Sequence, residues 1–360
     1  MTNYLIPTPG HSKNFLSAVV HRIYPTFFVL FTLLPLHLVP LQASGAEAYW
    51  PVPKTEYSYP DLQGLWTNPS QTPLQRPKAL GTKQAYTTTE ALELEQIARD
   101  LEQARIQPLD PDRPPPQTGG TVGAGADQNF EVRPIAISRV NGEYRTSLIV
   151  DPPDGRLPYI AGARDIYADW LAQGFDRLDG PEIRSGQERC LNSAGQVPLL
   201  YTFDATNAID GDNPIRNIQI VQNESYVVIL SEYFSAVRII RLSDEHLDRQ
   251  GSKWLGDSIA RYEGDSLVIH TKNFRPEQSN FFIRSSAQLE ITESYTPLSE
   301  DELLFSYTLS DPEIYSRSVT AEVPLQRMPP DHKLYEYACH EGNYSLPSIL
   351  RAARVRDSQR

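Results

Sequence analysis

Residues 335–344 read Tyr-Glu-Tyr-Ala-Cys-His-Glu-Gly-Asn-Tyr, the densest chemistry in the chain: a cysteine, a histidine, two carboxylates and three phenols. His340 stands between Cys339 and Glu341, and imidazole gives or takes a proton near neutral pH without extreme tuning. Neighbouring strand residues point to opposite faces, so Glu341 joins His340 only where Gly342 marks a bulge or turn. Two further residues qualify as partners of a His340 acid/base. Glu232 shares a strand face with Tyr226 and Leu230, and His270 ends a strand with apolar neighbours and is expected to point inward. Arg189 and Tyr344 are candidates to orient a substrate's polar end, with Glu341 and Tyr226 as further binding residues.

The remaining groups read more plainly. His246 (Ser-Asp-Glu-His) and His332 (Pro-Pro-Asp-His-Lys) lie in polar turns and are expected to be solvated. Asp257 and Arg261, four apart, read as an ion pair, and Asp265 as a hairpin residue. Gly-x-Ser-x-Gly, Ser-x-x-Lys, His-Glu-x-x-His and Cys-x-x-Cys are all missing from the sequence. Two cysteines are too few for a structural zinc site, and no histidine and carboxylate pair has metal-ligand spacing, so no metal and no cofactor is expected. Cofactor-free acid/base chemistry is the enzyme hypothesis that remains. Four tryptophans and 19 tyrosines would suit an apolar or aromatic small-molecule ligand.

The elements that must position these groups follow a leader. Lys13, His21 and Arg22 precede an apolar stretch from Tyr24 to Leu41, and Ala43-Ser44-Gly45-Ala46 supplies small residues for cleavage. Residues 1–46 therefore read as a secretory signal peptide. No later segment reaches the ~18 apolar residues of a membrane helix, so the protein is expected to be periplasmic or secreted, off the membrane once cleaved. The chain carries a formal charge of −12, and the leader holds two of its basic groups and no acid. An acidic surface repels nucleic acid, because binding there depends on cations that neutralise phosphate. Export suits a bridge between Cys190 and Cys339, the simplest reading of an even count. A reactive thiolate is the alternative, since Arg189 and His340 each adjoin one cysteine.

An aromatic and proline-rich arm opens residues 47–106 and leads to a helix from Glu90 to Ile106, with Thr87 and Glu90 as a capping box and Leu94, Ile97, Leu101 and Ala104 near helical spacing. Residues 107–128, rich in proline and glycine, read as a linker. Residues 129–345 change to strand chemistry. Asn141-Gly142 marks a hairpin, and eight alternating runs follow at 217–222, 225–232, 236–242, 257–263, 265–272, 287–296, 302–309 and 315–323. Short connections predict a mainly β protein, an antiparallel meander closing into a lipocalin-like barrel with a small N-terminal helical region. Mixed polarity on both strand faces suggests that both are covered, one by the helix and arm, the other around a cavity. Residues 346–360 read as a terminal helix or tail.

Four segments, 60–68 (Pro-Asp-Leu-Gln-Gly-Leu-Trp-Thr-Asn), 145–156, 254–258 and above all Tyr337-Ala338-Cys339-His340-Glu341-Gly342-Asn343-Tyr344, resemble a largely uncharacterised family of exported bacterial proteins. The resemblance implies export and a barrel-like body, and it carries no catalytic assignment. The sequence thus points to an exported lyase or isomerase without cofactor. A carrier for a hydrophobic ligand, or a hydrolase that activates water, are the alternatives.

Overall fold

The computed structural model describes residues 50–105, 107, 112, 135–191, 198–199, 216–247, 251–280 and 283–359; the expected leader and nearly all of the linker lie outside the described residues. The elements are β1 (Gly64–Asn68), β2 (Ala85–Tyr86), α1 (Thr88–Arg105), β3 (Arg139–Val140), β4 (Glu143–Arg145), β5 (Ile149–Asp151) and α2 (Ile166–Ala172). They continue as β6 (Arg216–Gln222), β7 (Tyr226–Ser231), β8 (Ala236–Leu242), β9 (Asp257–Glu263), β10 (Ser266–Lys272), β11 (Glu290–Pro297), β12 (Glu302–Ser310), β13 (Val319–Arg327), α3 (Cys339–Gly342) and α4 (Ser345–Asp357).

Period-two patterning makes the wall. Leu267, Ile269 and Thr271 of β10, and Leu303, Phe305, Tyr307 and Leu309 of β12, are buried on one face while their neighbours are partly exposed. Side chains alternate across a strand, so a sheet with one apolar face must close on itself or find cover. This one closes: β1 pairs with β6 on one side and with β13 on the other, completing nine strands in the order β1-β6-β7-β8-β9-β10-β11-β12-β13. β5 pairs with β13 at Thr320 and Ala321, toward the end of the strand away from its β1 pairs at Gln326 and Arg327, and β2, β4 and β3 form a separate small sheet. Burying each large aliphatic or aromatic side chain inside contributes about 1.5–3 kcal/mol.

The barrel is mixed, not wholly antiparallel as the short connections suggested. β8 and β9 run parallel, with Arg241 opposite Ile259. Antiparallel strands join through a tight turn, whereas parallel neighbours need a crossover of roughly a dozen residues or more. Residues 243–256 link the two strands, and within them the described His246 packs on the outer wall against His270. β1 itself lies in what the sequence presented as an arm. Just before it, Leu62 N–H donates to Gln222 Oε1 at 2.6 Å and Tyr59 stacks on Tyr262 at 4.5 Å, which seats the arm on one barrel rim. In α1 the capping box is reciprocal, Thr87 N–H to Glu90 Oε2 and Glu90 N–H to Thr87 Oγ1. The apolar stripe of α1 is only partly covered: Ala91 is buried, whereas Ile97 and Leu101 are 55% and 63% exposed.

Candidate active site

The buried faces of β9 and β10 decide where the histidines go. Because Leu267, Ile269 and Thr271 fill the interior, His270 stands on the outer wall, and the expectation that it points inward is corrected. The crossover brings His246 onto it. His246 Nε2 lies 2.8 Å from His270 Nδ1, and His246 Nδ1 lies 2.9 Å from Asp257 Oδ2. His246 is therefore no solvated turn residue: its side chain is 11% exposed. Asp257 does not pair with Arg261, which turns to Glu263. Asp257 instead receives Arg241 Nη2 at 3.0 Å, Leu247 N–H at 3.2 Å and Lys253 Nζ at 3.4 Å.

These contacts limit where the protons sit. An ionised carboxylate only accepts, so the proton between Asp257 and His246 sits on His246 Nδ1. Two arrangements complete the chain: His270 Nδ1–H donates to His246 Nε2 and keeps its lone pair at Nε2, or His246 Nε2–H donates to His270 Nδ1 and His270 Nε2–H faces Glu290. Only the first makes His270 a base. His270 Nε2 is the outer end of the chain, 3.6 Å from Glu290 Oε2, and the His270 side chain is 31% exposed. Burial, then the proximity of His246, lower the pKa of His270, with the Glu290 carboxylate acting the other way. Burial works to raise the pKa of Asp257, but the His246 and Leu247 hydrogen bonds with the charges of Arg241 and Lys253 outweigh it and hold it below its usual value. The first arrangement is a base with an open face, oriented by a second imidazole that is itself oriented by a carboxylate.

The other expected residues are placed elsewhere. β7 ends at Ser231, so Glu232 shares no strand face with Tyr226; it lies in the following turn and accepts Asn217 Nδ2 at 2.5 Å and Tyr335 N–H at 2.7 Å. That carboxylate tethers the C-terminal segment to the rim. Tyr226 is exposed at the opposite end of β7. His340 and Glu341 lie exposed on the one-turn helix α3, and no hydrogen bond or ring contact joins His340 to Glu232 or His270. Tyr344 is 77% exposed. Cys190 and Cys339 are bridged, with sulfurs 2.05 Å apart, and Asn343 Nδ2 donates to Glu188 O beside them. A cleft of about 340 Å³ next to the bridge is lined by Glu188, Cys339, Asn343 and Leu346 among others. Arg189, one residue from the bridge, lies over the Trp254 ring.

Inside the barrel a second polar cluster is sealed from solvent. Arg238 donates from both Nη atoms to Glu293 at 2.8 and 2.7 Å, and from Nη2 to Ser258 and Thr271 hydroxyls at 3.1 Å. Burial works against the charged guanidinium, but the charge and hydrogen bonds of Glu293 outweigh it and raise the Arg238 pKa. Tyr307, paired across the strands with Glu293, keeps a buried hydroxyl without a partner.

Among the described residues no cluster of three metal-ligating groups occurs, and no helix is long and apolar enough to cross a membrane. Sequence reasoning missed His246 because nothing in its local Ser-Asp-Glu-His context joins it to a histidine 24 residues on. The available signal was the connection between β8 and β9, too long for a hairpin. No protein-family model, curated protein or solved structure matches this chain, so the His246–His270–Asp257 site rests on its own geometry.

Proposed function

We propose that the protein is a cofactor-independent acid/base enzyme, a lyase or isomerase, that acts outside the cytoplasm on an apolar or aromatic small molecule. The observation that carries this reading is the chain Asp257–His246–His270, which ends at His270 Nε2 on an accessible wall. His270 serves as the base that removes a carbon-bound proton. His246 and Asp257 are positioning residues: they hold the tautomer and share the positive charge that develops. Once His270 Nε2 holds the abstracted proton, the Glu290 carboxylate 3.6 Å away stabilises the imidazolium. The Cys190–Cys339 bridge supports an oxidising compartment.

A second reading is a lipocalin-like carrier. It is favoured by barrel closure and by the Tyr307 hydroxyl, which is buried within the barrel and unpaired. The two readings separate on exchange of carbon-bound hydrogen. In D2O, the enzyme should introduce deuterium into small aromatic and apolar ketones or acids, read by mass spectrometry. His270→Gln should stop it, and His340→Ala should leave it intact. Exchange that survives His270→Gln and fails in His340→Ala would return the catalytic role to the C-terminal segment.

A further inference from the structure

Trp254 ends the crossover at a point where the backbone is tightly fixed. Lys253 N–H donates to Asn273 O at 3.0 Å, and Arg275 N–H donates back to Lys253 O at 2.9 Å. Two residues on, Gly256 has a φ of +67° and packs so closely on the end of β10 that a Cβ would lie 2.8 Å from Lys272 O. The indole is thus held at the rim by main-chain bonds.

Two guanidinium groups from distant parts of the chain each lie against that indole. Arg275 lies 5.2 Å from the ring centre, and Arg189 lies 5.8 Å from it. Arg189 is positioned by its neighbours: its N–H donates to Ser185 O at 3.2 Å, and the adjacent Cys190 is bridged to Cys339. Like charges repel, and each cation–π contact offsets only part of that cost. Carboxylates offset the rest only at Arg275. Among the described residues none lies within ion-pair distance of Arg189. Arg275 has a single long contact, Glu277 Oε1 at 3.4 Å, and its Nε is buried without an acceptor.

Two aromatic residues of α2 lie near Glu277, two positions from Arg275. Tyr167 of α2 donates its hydroxyl to Glu277 O at 2.8 Å and meets Trp170 edge-on at 5.6 Å. Burial pushes the Tyr167 phenol up to about 12, with the nearby Arg189 charge working to lower it and the Glu277 and Asp165 carboxylates acting the other way. A carboxylate matches two forked guanidinium groups through its two oxygens, and an aromatic ring attached to it matches the tyrosine and tryptophan faces.

We propose that Arg189, Arg275 and Trp254 form a binding site for the carboxylate of a small aromatic acid. The site fills the spare donors of both arginines and needs no metal. It uses none of Asp257, His246 and His270, so its failure leaves that reading untouched, and its success names a ligand class for this rim.

The test is calorimetric titration of the full chain, at low ionic strength, with benzoate, 1-naphthoate and indole-3-carboxylate, each against its uncharged amide and against inorganic phosphate. At least one acid should saturate a single site, with its amide more than tenfold weaker. Arg189→Gln and Arg275→Gln should each weaken the acid by tenfold or more with unchanged near-UV circular dichroism. The lysine variants, which keep charge but lose the fork, should fall between. Three results would overturn the proposal: no saturable binding of any acid in the millimolar range, amides that bind as well as acids, or phosphate that competes as well as the acids. Lysine or glutamine variants that fold and bind like the wild type would overturn it too.

Discussion

Replacing Glu293 by Gln removes the charge that neutralises Arg238 inside the barrel. Both side chains are at most 1% exposed, so no water replaces the lost partner. Ser258 and Thr271 still accept from Nη2 at 3.1 Å, but neither carries charge. Breaking one side of a buried ion pair costs about 3–5 kcal/mol, because the remaining charge stays desolvated. The unit Trp50–Arg360 has about 300 residues, and at ~2.1 cal/mol/K per residue its unfolding entropy is roughly 0.6 kcal/mol/K. The expected fall in Tm is therefore about 5–8 °C. Thermal melts followed by near-UV circular dichroism, with urea titration to check the free energy, provide the assay. The double variant Arg238→Met/Glu293→Leu should recover most of the loss, since an apolar pair removes both desolvation costs. A fall of less than about 2 °C for Glu293→Gln, or a double variant worse than the single one, would refute the buried-pair reasoning.

Three other outcomes follow from the same geometry. Cys190→Ser opens a link between positions 149 residues apart, so it should cost up to about 5 kcal/mol by chain entropy and free a thiol at Cys339 that titrates with a thiol reagent; unchanged stability contradicts this. Tyr307→Phe removes a buried hydroxyl that has no partner and should be neutral or stabilise by about 1 kcal/mol, whereas a clear loss in urea titration would reveal an acceptor. Burial holds the His270 pKa below its ordinary 6.5, so the unfolded chain binds more protons in the window beneath that value. The associated stability is full above about pH 6.5 and is lost as pH falls through the folded pKa. His270→Gln should flatten that part of the pH–stability curve.

Much of the barrel was legible because strand patterning is local. The runs 217–222, 236–242, 257–263 and 302–309 agree with β6, β8, β9 and β12 to within a residue or so at each end. Leu303, Phe305, Tyr307 and Leu309 announce their shared face by alternation alone. What alternation does not announce is which face is inside, and that is why His270 was expected on the wrong side. The parallel β8–β9 pair was hidden for a related reason: strand composition does not record direction, and only the connection length does. β1 escaped because Gly64–Asn68 follows a proline-rich arm and becomes a strand through its two neighbours, β6 and β13. The active-site candidate was half legible. Asp257 and His270 stood out singly, but their meeting through His246 depends on the crossover folding back over the wall, which is a tertiary event. The C-terminal segment drew attention by composition, and the structure uses it as a strap, held by Glu232, Ser235 and the disulfide.

The most direct test of the account is nitrogen-15 NMR of histidine-labelled protein, titrated from pH 8 to pH 5, for the wild type and Asp257→Asn. The account predicts that His246 and His270 both carry their proton on Nδ1 at neutral pH, that His270 titrates below 6.5, and that Asp257→Asn disturbs the tautomers of both rings. Two histidines with mixed tautomers, titrating independently and indifferent to Asp257→Asn, would contradict it.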